Sequence, residues 1–225
     1  MTSVLHRPDP LDLLTPERRR GLLAVAVVAG LALGAVDLLL QATLPYPWAN
    51  LANSSAMWAL AAFGYGVWFR RPGVRVAAGG AVLLVVAVAA YYVAAAIALG
   101  DDLANVWAPT SILWAVFGIL AGVVFAPLGA AVRLPGWRGV VAAAGAGAVC
   151  FAEFAVVLTR ADDVAVSERT DVIQTAVLTA VIGLVVLLAA ARTVPVVGRA
   201  LLMSVPLAAV GFAGFAVAGF TPGLG

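Results

Sequence analysis

The sequence predicts an all-α membrane protein, a bundle of seven transmembrane helices with little mass outside the bilayer. Of its 225 residues, 64% are hydrophobic, whereas soluble domains contain roughly 45–50% apolar residues. Apolar runs of about twenty residues recur seven times, and a helix of about this length crosses the ~30 Å hydrocarbon layer. Charged residues make up only 11% of the chain and are confined to short intervals, too few to cover the surface of a soluble protein.

The predicted spans follow one another with short connections that are polar or marked by Pro and Gly. They cover residues 21–44, 51–69, 76–99, 111–132, 140–158, 172–191 and 201–220. The first run is too long for the apolar core of a signal peptide, so we expect it to be retained. The runs also lack the alternation typical of membrane β-strands. We therefore divide the chain into an N-terminal lead (1–20), a seven-helix domain (21–220) and a short tail (221–225).

The arginines predict the orientation of the bundle. The chain contains thirteen arginines and no lysine, and its formal net charge is +2. With a cytoplasmic N-terminus, eleven arginines lie in cytoplasmic segments, and only Arg160 and Arg169 are external. Basic residues collect on the cytoplasmic side of membrane proteins, so the N-terminus is predicted inside and the C-terminus outside, in the cell membrane. The arginines are spread over four segments, so we expect the lipid bilayer and no nucleic acid as partner.

Small residues and prolines predict how the spans pack. Gly30 and Gly34 lie four residues apart, as Gly118 and Gly122 do, and small residues at this spacing allow membrane helices to approach closely. Cys150 is interpreted as a further small packing residue. Two prolines, at positions 127 and 206, lie within spans four and seven and are expected to bend them.

Polar side chains inside the spans are the candidate functional residues, because their burial in hydrocarbon is costly. The predicted ligand-binding residues are Asp37, Gln41, Asn53, Ser54, Tyr91, Tyr92, Trp114, Glu153 and Gln174. At 1.5 Å of rise per residue, Asp37 lies about 10 Å and Glu153 about 8 Å below the outer ends of their spans. These residues all fall in the outer half of the membrane. They predict a polar pocket that opens outward above closely packed Gly and Ala.

Helical spacing indicates that some of these residues face the bundle interior. Gln41 follows Asp37 by four residues, and Asn53 shares a predicted stripe with Asn50 and Met57. Arg160 follows Glu153 by seven residues and is a candidate partner for its carboxylate.

A purely structural interpretation remains open beside the pocket. The acids and Asn53 would then hydrogen-bond neighbouring helices. Tyr46 and Trp48 are best interpreted as part of an aromatic belt at the interface.

Several chemistries are excluded by missing residues. Without lysine no retinal Schiff base can form, and His6 is the sole histidine, so no zinc or haem ligand set can be assembled. The phosphate-binding pattern G-x-x-x-x-G-K-[ST] and the G-x-S-x-G nucleophile pattern are absent as well. No metal or cofactor is therefore predicted.

Three segments within about residues 25–160 have a distinctive composition: "LANSSAMWALAAF" in span two, "YY" in span three and "FAEFA" in span five. In these segments the chain resembles a family of small multipass membrane proteins from high-GC Gram-positive bacteria. The family pattern is an A-N-S-x-x-x-W-like segment, a Tyr pair and an intramembrane acid. The positions that match it are Asn53, Ser54, Trp58, Tyr91, Tyr92 and Glu153. Cys150-Phe151-Ala152 departs from the small residues that precede the acid in the family, and the resemblance implies no established function.

Three functions fit these observations. The first is binding or transport of a small molecule, with Asp37 and Glu153 linked to a proton or cation. The second is a membrane enzyme on an isoprenoid or lipid, in which a buried carboxylic acid donates a proton and aromatic faces stabilise a cation. The third is an accessory subunit that docks on another membrane protein through Gly and Ala helix faces.

Overall fold

The computed structural model describes residues 16–161 and 163–219, with side chains from Gly21 onward. This part of the chain contains α-helices joined by short turns and one 3₁₀ helix, Leu103–Trp107, and it contains no strand. The α-helices are α1 (Pro16–Thr43), α2 (Trp48–Ala52), α3 (Ser55–Phe69), α4 (Val74–Leu99), α5 (Pro109–Ala131), α6 (Trp137–Thr159), α7 (Val166–Ala191) and α8 (Val194–Val217). The predicted lead and tail lie mostly outside the described residues.

Six of the described helices are long and apolar enough to cross a membrane, namely α1, α4, α5, α6, α7 and α8. The prediction of an all-helical chain with several membrane-crossing helices is thus confirmed. The second predicted span differs. Helix α3 has 15 residues, a length of about 22 Å, which is shorter than the ~30 Å hydrocarbon layer.

The second predicted span is broken where it was expected to be continuous. Helix α2 ends at Ala52, and α3 begins anew at Ser55. Ser54 between them has an extended backbone, and its hydroxyl accepts a hydrogen bond from the N–H of Met57 at 3.3 Å. A serine hydroxyl that binds a backbone N–H in this way favours a helix start over a helix interior.

The helices form two bundles. In the first bundle α1, α3, α4 and α5 pack around a core that includes Leu22, Leu83 and Leu84. In the second bundle α6, α7 and α8 pack around Ala144 and Leu187.

A third apolar cluster joins the two bundles. It consists of Phe63 on α3, Val132 after α5, and Ala142 and Ala146 on α6. Helix α6 is the most buried of the six spans, because it belongs to the second bundle and also faces the first.

Glycines allow the close helix approaches that the sequence predicts. A Cβ on Gly34 of α1 would collide with the carbonyl of Ala87 on α4, and a Cβ on Gly122 of α5 would collide with Gly80. Both predicted glycine pairs therefore pack on α4 inside the chain. Cys150 is fully buried, and its Cβ lies against Gly183 of α7, as expected of a packing residue.

Candidate functional site

The break between α2 and α3 is closed by an acid from the other bundle. The N–H of Ala56 donates to Oε2 of Glu153 on α6 at 2.5 Å. The hydroxyl of Ser54 is also within hydrogen-bonding reach of this carboxylate. The first N–H groups of a helix have no partner within the helix, and a negative charge is favourable at that end. Glu153 thus provides a polar contact between the two bundles.

Asp37 is the centre of a second group, inside the first bundle. Only 4% of its surface is exposed, and one carboxylate oxygen accepts a hydrogen bond from Nε2 of Gln41 at 2.9 Å. The indole of Trp58 on α3 lies within hydrogen-bonding reach of the same carboxylate. Helices α1 and α3 therefore both contribute to the surroundings of this acid.

Helix α4 adds two aromatic residues to the Asp37 group. The hydroxyl of Tyr91 donates to Oε1 of Gln41 at 3.4 Å. The ring of Tyr92 meets that of Tyr91 edge to face, with centroids 5.4 Å apart. Gly34 makes this arrangement possible, because its missing Cβ leaves room for the backbone of α4 at Tyr91.

Both acids contact the first turn of α3, but through different residues. Glu153 lies at the end of the helix, where it binds the N–H of Ala56, whereas Trp58 extends from the helix towards Asp37. Each carboxylate has its own set of partners. A shift of the first turn of α3 would therefore alter the hydrogen bonding of both carboxylates.

A second polar contact joins α2, just before the break, to α7 of the second bundle. Nδ2 of Asn50 on α2 donates to the hydroxyl of Thr175 on α7 at 3.4 Å. That hydroxyl itself donates to the backbone carbonyl of Asp171 at 2.8 Å. Arg160 follows the end of α6, close enough for its charge to act on Glu153, and the predicted pairing of the two stays a prediction.

The predicted residues do not all converge. Asp37, Gln41, Tyr91 and Tyr92 form one group, and Ser54 and Glu153 form the other. Trp114 packs instead against Phe117 of its own helix, with ring centroids 5.9 Å apart.

Asn53 and Gln174 are exposed, whereas their neighbours Ser54 and Thr175 are buried. The break resets the helical phase, so the expected stripe of Asn50, Asn53 and Met57 does not exist. A role of the two exposed amides in ligand binding stays a prediction.

The structure adds partners that the sequence did not single out as site residues. They are the indole of Trp58, the Asn50–Thr175 pair and the backbone N–H of Ala56. Trp58 belongs to the segment that carries the family resemblance, which was a usable signal. Ala56 contributes through its backbone N–H, which has no partner within α3, so its side chain gives no signal in the sequence.

The two carboxylates can accept a proton or bind a cation. Together with an amide, two phenols and an indole, they lie towards the C-terminal ends of α1, α4 and α6 and at the start of α3. Across residues 16–161 and 163–219, no group of three His, Cys, Asp or Glu side chains is placed to hold a metal ion.

The long apolar helices, packed through glycines and carrying these few buried polar groups, define a multi-pass membrane protein. Its sequence belongs to a family of unknown function, DUF6518, whose profile matches residues 14–219. Neither the curated proteins nor the solved structures include a significant match to the chain.

Proposed function

We propose that this protein spans the cell membrane seven times, with its N-terminus in the cytoplasm and its C-terminus outside, and binds or transports a small molecule. The ligand would enter a polar pocket from the external side. The observation that carries this proposal is the contact of Glu153 with the start of α3, since a charged group from one bundle there meets a helix break in the other.

The seven-span count treats α2 and α3 together as the second span. Residues 48–69 are 22 positions, and a nearly collinear pair of helices of this length would extend about 33 Å, enough for a ~30 Å hydrocarbon layer. With this span included, the turns of the chain alternate between the two sides of the membrane.

The arginines support the orientation. Arg70 and Arg192 close α3 and α7 in the left-handed conformation, with φ of 59° and 58°, and Arg133 follows α5 closely. The charge of Arg70, together with desolvation and the charge of Arg192, lowers the pKa of Arg133, as expected where positive charges collect at one end of the bundle. A cluster of positive charge at one end of the bundle is typical of the cytoplasmic side.

A broken span supports a binding role. Non-helical backbone at membrane depth occurs where it is buried in protein or lines a water-filled cavity. In several transporter folds, interrupted helices bind substrates and coupling ions. Here the start of α3 already binds the chain's own carboxylate. A cation or proton that binds Glu153 is therefore a better ligand for this site than an anion.

Such a ligand would act on the contact between the bundles. Protonation or cation binding at Glu153 competes with its hydrogen bond to Ala56 and weakens the attraction to the start of α3. The Asn50–Thr175 hydrogen bond between α2 and α7 would have to open as well. The apolar cluster of Phe63, Val132, Ala142 and Ala146 would remain packed, so the bundles would separate at their external ends.

An enzyme acting on an isoprenoid or lipid is the second candidate. The aromatic side chains of Trp58 and Tyr91 beside Asp37 favour it, because aromatic faces stabilise a developing cation. An accessory subunit would need free Gly and Ala faces, and the two glycine pairs on which that alternative relied pack inside the chain.

The experiment is native mass spectrometry of the purified full-length protein and of two charge-neutralising variants, Asp37→Asn and Glu153→Gln. We expect a co-purified small molecule whose occupancy falls about tenfold or more in both variants, since about 1.4 kcal/mol corresponds to tenfold. Glu168→Gln removes an exposed acid from the first turn of α7 and is the matched control. Absence of any ligand from the wild type, or equal occupancy in all four proteins, would refute the proposal.

A further inference from the structure

A groove runs between α5 and α6 at the end of the bundle where the arginines cluster. Its volume is about 390 Å³, and its walls include Val124, Pro127 and Leu128 of α5, with Pro72 from the α3–α4 turn. Trp137 and Arg138 line it at the start of α6. The walls are apolar except at this end.

The length of the groove along α5 is shorter than the hydrocarbon thickness of one lipid leaflet. Val124 lies seven residues before the end of α5, so the groove extends about 10 Å along the helix. Half of a ~30 Å hydrocarbon layer is about 15 Å. Val124 is 52% exposed, which means that the groove opens towards the lipid and not into the bundle. An acyl chain is the apolar partner present at this depth.

The charged end is built from two turns with the same sequence pattern. Residues 70–75 read RRPGVR and residues 133–138 read RLPGWR, so both follow R-x-P-G-x-R. In each turn the glycine is the N-cap of the following helix, α4 or α6. Pro72 of the first turn and Leu134 of the second both line the groove. Neither turn contains an acidic residue, so the local charge is positive throughout.

Arg138 and Trp137 are placed as a headgroup contact requires. The guanidinium carbon of Arg138 lies 5.9 Å from the centroid of the Trp137 ring, and the indole is 70% exposed. Tryptophan is enriched at the level of lipid headgroups. A guanidinium can bind two phosphate oxygens at once. Arg71 and Arg133 are the chain neighbours of lining residues and add to the positive charge around the mouth.

A second groove provides an internal contrast. It lies between α6 and α7, has a volume of about 290 Å³ and is lined by apolar residues such as Phe151, Phe154 and Leu184. No charged or polar side chain lines it. Shape alone therefore does not distinguish the two grooves, but charge does.

We propose that the α5–α6 groove and its two R-x-P-G-x-R turns bind one anionic diacyl phospholipid, with an acyl chain in the groove and the phosphate at Arg138. We assign the lipid to the cytoplasmic leaflet from the orientation proposed above, on which this step rests. Because α5 belongs to the first bundle and α6 to the second, the bound lipid contacts both.

The experiment is native mass spectrometry of the full-length protein in nanodiscs made from equal amounts of phosphatidylglycerol and phosphatidylcholine with identical acyl chains. After release, the wild type should retain one phosphatidylglycerol in preference to phosphatidylcholine by about tenfold or more. Arg138→Gln should abolish the preference. Arg199→Gln, which removes an exposed arginine at the same end of the bundle but outside the groove, should keep it.

The apolar wall is tested separately with Ala131→Trp, which fills the groove and leaves all arginines in place. We expect it to reduce retention of both lipids. Equal retention of the two lipids by the wild type, or equal loss of preference in Arg138→Gln and Arg199→Gln, would overturn the proposal in favour of diffuse surface charge. Asp37→Asn and Glu153→Gln should bind the phospholipid as the wild type does, so a failure here is distinguishable from a failure of the external pocket.

Discussion

Glu153 combines two tasks that are usually performed by different residues. Its carboxylate accepts the N–H of Ala56, which would otherwise lack a partner, and it belongs to a different bundle from the helix that it caps. Local helix stability and the association of the bundles therefore depend on the same side chain.

Replacement of Glu153 by alanine should lower the free energy of unfolding by about 1–3 kcal/mol, because it leaves a buried N–H unpaired. Glu153→Gln retains an oxygen that can accept this hydrogen bond and should cost less. Thermal unfolding in detergent measures the difference. Glu168→Ala, at an exposed acid, is the control. Equal destabilisation by the Gln and Ala variants would show that the charge, and not the hydrogen bond, is what matters.

Only part of this residue-level arrangement could be predicted from the sequence. Asp37 and Gln41 were expected to share one stripe of their helix, and the hydrogen bond between them is consistent with that spacing. The burial of Ser54 beside an exposed Asn53 was not, because periodicity describes a continuous helix and the phase changes at the break. Contacts between helices, such as that of Trp58 with Asp37, depend on how each helix is rotated about its axis, and the sequence of a single span does not determine this rotation.

At the scale of the elements, apolar length identifies six of the helices, although α7 and α8 begin six and seven residues before their predicted starts, because polar or Pro- and Gly-containing first turns were assigned to the connections. Apolar length did not reveal the break in the second span, because mean hydropathy over about twenty residues does not resolve an interruption of two residues. The sequence Asn53-Ser54-Ser55 carries the residues that favour a helix start, but an apolar context on both sides concealed the signal.

Helices α3 and α5 approach each other through glycines, and this contact predicts a large effect from a small change. A Cβ on Gly66 would collide with the carbonyl of Ala126, whereas a Cβ on Gly64 meets nothing within 4 Å. Gly66→Ala should therefore lower the free energy of unfolding by about 1–3 kcal/mol through overpacking. Gly64→Ala is the matched control on the same helix and should be neutral or stabilising, since alanine is the better helix former. Similar melting temperatures for the two variants would contradict the close contact.

At the scale of the molecule, the described residues form two bundles that touch through polar groups at one end and apolar groups nearer the other. Phe63, Val132, Ala142 and Ala146 form the apolar contact, and Glu153 with Ala56 forms a polar one. Apolar contacts tolerate small changes of angle, whereas a hydrogen bond weakens steeply when it is misaligned. Relative motion of the bundles would therefore be concentrated at the polar end.

The proposed orientation predicts which turns are accessible from outside the cell. Asp101→Cys, in the exposed α4–α5 connection, should react with a membrane-impermeant maleimide on intact cells. Pro135→Cys, in the exposed α5–α6 turn, should react only after permeabilisation. Cys150 is buried and contributes no background. The reverse labelling pattern would invert the topology and move the lipid proposed for the α5–α6 groove to the other leaflet.

At the C-terminal ends of α3 and α7, where the backbone is left-handed, low backbone strain and a positive topology signal favour different residues. Glycine is the residue that this backbone conformation accommodates best, yet Arg70 and Arg192 occupy the two positions. In the orientation proposed above, an arginine there contributes positive charge to the cytoplasmic side, and it interacts favourably with the carbonyl end of its helix. Replacing either arginine with glycine would relieve backbone strain at the helix end in the folded protein. It would also weaken the positive-charge signal that orients the chain during membrane insertion. In that orientation, these two sites favour correct insertion over maximal stability.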